Sequence, residues 1–412
     1  MKIVCILWMA AGASYGAQLQ DLVREALARN PEILAAGKRY EAARQRPVQE
    51  SSMPDPTVSV GYASNGGPLP GQGLGSQPTS NIGVMVSQEL PAAGKRKLRG
   101  DIARKEADVE YQQYLAVQLG VQSRVTQAFH RLHHAYAAAE ILGQGKDLLS
   151  QVIRVSEARY AVGKAAQQDI LKAQVQLSIL EARLIQIQQD RVSTEAELNA
   201  LLNRRPGTPV ERPADTEPAP LTRSVDELLA ATARTAPGLR REQSMVERSA
   251  LAINLARKDF QSDYRVSAGY YNMGGMPAMY EFRLEIPLHL HTSQKQAPAL
   301  GEQIYRLSEA RQNFEAADQN LQFRVREAYA QAQTAWRLIQ LYADTILPQS
   351  ALTIESSLAS YQTGGTDFLS VLTNVMEKVD AEDRYHEEKM MYALALARLE
   401  EMTGVSLEEA RP

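Results

Sequence analysis

Three histidines, His130, His133 and His134, stand at the i, i+3, i+4 spacing that places side chains on one helical face. Imidazoles so arranged could chelate a transition metal, but no carboxylate lies close by in sequence to orient them, so a solvated patch is the simpler reading. His289 and His291 share one face of an extended segment and are read the same way. Met273, Met276 and Met279 cluster within seven residues, and thioethers are soft donors suited to Cu(I) or Ag(I), although methionines also pack readily over a loop. The run Gly71-Gln72-Gly73-Leu74-Gly75 has the glycine spacing of a phosphate loop without a strand-helix-strand unit around it, and reads as a surface loop. No phosphate-binding GxxxxGK, no HExxH and no GxSxG occurs. No catalytic residue and no cofactor is therefore expected, and the chain is not read as an enzyme.

The chain has 412 residues, 44% of them hydrophobic and 23% charged, a balance that folds rather than stays disordered. A net charge of -3 gives no basic field for a nucleic-acid partner. Residues 1–16 run from Lys2 through an apolar stretch to Ser14 and Gly16, the pattern of a secretory signal peptide cleaved after Gly16. The single cysteine, Cys5, lies inside that stretch, so the mature chain is expected to enter an oxidising compartment without disulfides or thiolate metal sites. No later run of about 18 apolar residues could form a spanning helix, so a membrane crossing would require a closed barrel.

These residues are carried on a duplicated framework. Leu22 and Pro31 recur as Leu228 and Pro237, Glu89-Leu90-Pro91 as Glu285-Ile286-Pro287, and Tyr160 with Gly163 and Asp169 as Tyr361 with Gly364 and Asp367. The order is kept at a period of about 200 residues, longer than any solenoid repeat. The expected division is a first repeat at 17–205, a proline-rich extended linker at 206–220 and a second repeat at 221–412.

Each repeat reads as a helix, two strands and two very long helices. Ile170, Ala173, Leu177, Leu180, Leu184, Ile187, Arg191, Thr194, Leu198 and Leu201 alternate steps of three and four, the seam of a coiled coil. No proline interrupts residues 95–162, which as one helix would extend about 100 Å. The return helix from Asp169 covers about half that distance, and a helix over residues 19–50 could supply the rest. The second repeat repeats the arithmetic, with a helix over 224–260.

The strands alternate apolar and polar residues. They are expected at about 57–62, 81–90, 264–271 and 280–288, the last with Tyr280, Phe282, Leu284 and Ile286 on one face and Glu281, Arg283 and Glu285 on the other. Such strands suit a membrane barrel, or a half-buried sheet in a soluble domain. Four strands cannot close a barrel, so a barrel would need two copies or three.

Ala28-Arg29-Asn30-Pro31, Leu90-Pro91-Ala92-Ala93-Gly94-Lys95-Arg96, residues 160–169, and Leu347-Pro348-Gln349 leading to residues 361–369 together resemble the TolC-like outer-membrane factor family, most of all its heavy-metal efflux branch. The resemblance covers essentially the whole mature chain. It implies a mainly α fold with a small β part: a homotrimer with a twelve-stranded outer-membrane β-barrel, four strands per chain, continued by a periplasmic coiled-coil barrel. It further implies a passive exit duct of a tripartite efflux system, of the RND type, in the outer membrane of a Gram-negative bacterium. The partners would be a periplasmic adaptor, an inner-membrane pump and outer-membrane lipid, with no nucleic acid. Heavy-metal cations are a candidate cargo. A periplasmic coiled-coil adaptor without a pore is the alternative.

The family's periplasmic tip falls here at 163–168 and 364–366, with Tyr160, Gly163, Asp169, Tyr361, Gly364 and Asp367 as the gate candidates. Both aspartates are expected at the start of a return helix, where a carboxylate can cap free N–H groups and also join an acidic ring. Lys95, Arg96, Lys97 and Arg99 put four cations at a helix start, where the helix dipole disfavours them, and lipid phosphates beside the barrel are the expected compensation.

Overall fold

The computed structural model describes residues 14–65, 67–215 and 217–407. The signal-peptide reading of residues 1–16 falls mainly on residues 1–13, outside the described residues. The chain opens with α1 (Ser14–Arg29), α2 (Pro31–Ala43) and α3 (Arg46–Ser51) where one helix over 19–50 was expected. The break is chemical. The Asn30 side chain accepts the N–H groups of Glu32 at 2.9 Å and Ile33 at 3.3 Å, and Pro31 occupies the first helical position. The second repeat breaks at the equivalent place, between α6 (Val225–Thr235) and α7 (Pro237–Lys258), because Ala236 precedes a proline and turns extended. Ser224 and Glu227 close a capping box at the start of α6.

The strands β1 (Thr57–Ala63), β2 (Asn81–Leu90), β3 (Tyr264–Asn272) and β4 (Met279–Glu285) form one antiparallel sheet in the order β1-β2-β3-β4. The two repeats each give a hairpin, joined edge to edge by β2 and β3. The fourth strand stops at Glu285 rather than at 288. Pro287 has no N–H to give a ladder, and its carbonyl is taken by the Ser262 hydroxyl. The long helices are α4 (Lys95–Ala161), α5 (Gln167–Leu201), α8 (Gln296–Leu341), α9 (Leu347–Thr363) and α10 (Phe368–Thr403), with a π-helical turn, Tyr342–Ile346, between α8 and α9. Among the described residues no helix is long and apolar enough to cross a membrane.

The residues divide into two compact units. Among the described residues, the first holds those up to Ala36, those within 114–237 and those from Gln319 onward. Its helices close around three cores. One gathers Leu19, Leu22, Val121, Val125, Phe129, Leu132 and Leu198, and a second Leu228, Val325, Ala332, Tyr392 and Leu399. The third, towards the hairpin ends, gathers Leu149, Val152, Leu180, Val371 and Val375, with Ile170, Leu177, Leu184 and Ile187 packed against it. The seam of α5 is thus the stripe that buries.

The linker 206–220 lies against this unit as an extended strap. Arg212 pairs with Glu140 at 2.7 Å, Tyr392 donates to the Ala219 carbonyl at 2.8 Å, and the buried Lys389 ammonium sits 3.4 Å from Asp215 and 3.3 Å from Glu217. The second unit, residues 37–113 and 238–318, holds the sheet and its flanking helical segments. Those segments are tied by Glu106, which takes both Arg46 and Arg248 at 2.8 Å, and by Lys105 with Glu247 at 2.7 Å.

Candidate functional site

The sheet has two chemically opposite faces. Strand registry lines up Val58, Val86, Ala268 and Phe282 in one row and Val60, Val84, Tyr270 and Tyr280 in the next. Among the described residues nothing covers this face: Phe282 is 84% exposed and Val60 77%. The alternate rows carry the sheet's polar side chains, beside Met85, Met279 and several glycines. Ser87 meets Ser267 at 2.9 Å, and Arg265 bridges Glu89 and Glu285 at 3.9 and 3.6 Å. Arg283 continues the ladder to Glu285 at 3.7 Å and to Glu281, whose other oxygen accepts the Tyr271 hydroxyl at 2.9 Å. The Tyr271 ring lies where side chains at Gly83 and Gly269 would stand, so both positions require glycine while the ring stays. β1 and β4 each have one edge without a partner strand in the sheet. An apolar face in the open and two free edges make a wall that is incomplete as a single chain.

The basic run before α4 is only partly available to lipid. Lys95 is buried, its ammonium 3.2 Å from Asp259 and 3.1 Å from Asp263, and it donates to the Gln261 carbonyl at 3.1 Å. Asp263 also accepts the Ala92 N–H at 2.7 Å, so this corner compensates its own charge. Lys95 is therefore corrected from a lipid contact to a structural ion. Arg96 reaches the Ser51 carbonyl at 3.4 Å, and Lys97 and Arg99 stay at the helix start.

The hairpin ends place Gly163 and Gly364 in the left-handed region, at φ of 72° and 86°, where they terminate α4 and α9. The two aspartates differ. Asp367 is the N-cap of α10, accepting the Ser370 N–H at 2.8 Å and its hydroxyl at 3.1 Å. That backbone bond, with the hydroxyl's, holds its carboxyl below the usual range. Asp169 is no cap. The helix α5 starts at Gln167 with Ala166 as its uncapped N-cap, which leaves Asp169 inside the first turn, where only the dipole favours it.

The tyrosines differ too. Tyr160 is 47% exposed, whereas Tyr361 is 3% exposed. Tyr361 is held by the Ser156 hydroxyl at 3.1 Å and by Arg159, whose guanidinium lies 4.5 Å from the ring centroid and donates to the Tyr361 carbonyl. Phe368 meets the same ring edge-on at 6.0 Å. Arg159 and Ser156 are the residues that sequence reading missed. They sit one and four positions before Tyr160, yet their partner Tyr361 is 202 and 205 residues away.

The histidines find carboxylates from other elements. His133 lies 3.3 Å from Asp215 of the strap and His134 3.6 Å from Asp383 of α10. Burial pushes the His130 imidazole down to about 4 and lowers His133 as well. Among the described residues no group of three or more His, Cys, Asp or Glu side chains could hold a metal ion. His289 pairs with the Ser262 hydroxyl at 3.2 Å. Met273 and Met276 lie in the β3–β4 loop, and Met279 opens β4 opposite Tyr271.

Residues 22–204, most of the first repeat, match the model of the family described as outer membrane efflux protein. A search of curated proteins gives no significant match. Among solved structures the chain is similar to CusC, in work on its transmembrane channel formation, at 17% identity over 97% of this chain and 96% of that one, with a TM-score of 0.80. It is similar to the outer membrane protein VceC of Vibrio cholerae at 18% identity, covering 95% and 98%, with a TM-score of 0.81. It is also similar to the open state of the Neisseria gonorrhoeae MtrE outer membrane channel at 20% identity, covering 95% and 89%, with a TM-score of 0.67. Residues 22–204 thus carry the sequence pattern of the outer membrane efflux proteins, and the whole chain has the fold of the solved CusC and VceC structures.

The asymmetry of the two aspartates makes a direct prediction. Asp367→Ala should speed amide hydrogen exchange in the first turn of α10, whereas Asp169→Ala should leave the first turn of α5 nearly unchanged. Because the Asp367 carboxyl is held low, its cap is fully present above the usual carboxylate range and is lost only as pH falls through the depressed value. Equal effects of the two substitutions would contradict the assignment.

Proposed function

We propose that three copies of this chain form an outer-membrane channel, a passive duct through which a tripartite efflux system of the RND type exports cargo from the periplasm or the inner-membrane pump. The observation that carries the reading is the uncovered apolar face of the sheet with its two free edges. In lipid that face is satisfied, and pairing β4 of one copy with β1 of the next satisfies the edges. Four strands per chain reach the eight-strand minimum with two copies, and the family likeness favours three, hence twelve. The polar ladder of Glu89, Arg265, Glu281, Arg283 and Glu285 then faces water inside the barrel. Arg96, Lys97 and Arg99 stand where lipid phosphates can meet them.

The hairpin ends are the gate. Tyr361, clasped by Arg159 and Ser156 and backed by the glycine turns, holds the tip shut, and three copies of Asp367 add an acidic ring. An adaptor protein docks there and releases the clasp. Soft heavy-metal cations are the cargo class for which the chain itself offers ligands, Met273, Met276 and Met279.

Planar-bilayer recording tests the duct and its gate together. The parent protein should give small, mostly closed steps, and Arg159→Ala should raise the open fraction several-fold, with Tyr361→Phe intermediate. A current that is the same in all three would remove Tyr361 from the gate, and no current in any would remove the channel. For the cargo, Cu(I) titration should lose sites when the three methionines are replaced by leucine, and an unchanged stoichiometry would dismiss the methionines.

A further inference from the structure

The two outward helices are copies of one another with one residue added. Ala128, Phe129, Ala135 and Tyr136 of α4 correspond to Ala328, Tyr329, Ala335 and Trp336 of α8, each 200 positions on, whereas Ser156, Tyr160 and Gly163 correspond to Ser357, Tyr361 and Gly364, 201 positions on. The extra residue is absorbed between these landmarks, and the π turn Tyr342–Ile346 lies there. A one-residue insertion that keeps a helix in phase on both sides is how a π turn arises. Pro348 follows at once. It has no N–H for the Asp344 carbonyl four residues back, and its ring crowds that carbonyl, so the ladder is weakest here. The Leu347 N–H instead bonds to the Tyr342 carbonyl.

The first repeat is softened at the corresponding level by other means. The stretch matching the π turn contains Gly143 and Gly145 inside α4. Packing explains Gly145, because a Cβ there would stand 2.6 Å from Val379. It does not explain Gly143, where a Cβ would meet nothing within 4 Å.

Beyond the π turn, α9 is lightly held within its own chain. Over its 17 residues only Ile354 and Tyr361 are buried, while the first turns of α10 bury Phe368, Val371, Leu372, Val375 and Val379. Next to the turn is a cavity of about 520 Å³, lined by Leu347, His133, Ile141, Gln144, Tyr385 and His386. A soft joint, a helix with two anchors and open volume beside the joint are the parts of a lever.

We infer that the π turn at residues 342–346 is a pivot on which α9 swings, over a length of about 25 Å, when the Arg159–Tyr361 clasp at its far end opens. Its use in gating rests on the channel reading above. The pivot itself does not.

The test uses the full-length protein with Cys5→Ser, spin-labelled at Thr334→Cys and Ser356→Cys, two exposed positions on either side of the π turn. A control pair, Gln174→Cys and Ala196→Cys, spans an equal stretch of the unbroken helix α5. The distance distribution across the π turn should be broader than the control. Pro348→Ala should narrow it to the control width and lower the rate of channel opening several-fold, and Gly143→Ala should act in the same direction on opening. A distribution no broader than the control, or one that Pro348→Ala leaves unchanged, overturns the pivot. Absence of current with a broad distribution that Pro348→Ala narrows overturns the channel reading and leaves the pivot standing.

Discussion

An antiparallel sheet with one apolar face must bury that face, and the described residues of this chain provide nothing to bury it. Rows such as Val60, Val84, Tyr270 and Tyr280 run across all four strands and stay open, while the opposite face is crossed by an ionic ladder. Exposed apolar rows of this kind mark an interaction surface. The free edges of β1 and β4 add a second demand, for partner strands. On the proposed reading, lipid on the apolar face and further copies at the edges answer both demands together, and this is the constraint on which the rest depends. Duplication follows naturally from it, since each repeat supplies one hairpin to the same wall.

The repeats are alike in plan and unlike where they act. Both begin with a helix broken before a proline, both give two strands, and both end in a long helical pair. At the hairpin ends they diverge. Tyr361 is clasped and Tyr160 is open; Asp367 caps a helix and Asp169 does not. Arg159 has its counterpart in Ser360, so the clasp exists once per chain. If the hairpin ends gate as proposed, unequal copies would let one seam hold while the other yields, which a strictly repeated structure could not do.

Much of the architecture was legible because it rests on periodicity. The α5 seam, the four strands and the glycine turns at 163 and 364 are set by local pattern, and the structure places them within a few residues of expectation. The departures come from single polar groups and prolines. Asn30 caps a new helix start, Pro287 ends β4 early, and Pro348 with one inserted residue makes a π turn. Partners distant in sequence were not legible at all. In sequence Lys95 is one of four cations at a helix start, and only the fold brings Asp259 and Asp263, more than 160 residues away, around its ammonium. Arg159 carried no sign of its contact with Tyr361, and the carboxylates beside His133 and His134 come from the strap and from α10.

The central claim is that the sheet is completed by lipid and by two further copies of the chain. Native mass spectrometry of the detergent-extracted outer-membrane fraction tests it most directly. The account predicts a trimer that osmotic shock does not release and that Phe282→Arg, on the apolar face, prevents from entering the membrane. A monomer freed by osmotic shock, with Phe282→Arg behaving as the parent does, would contradict it.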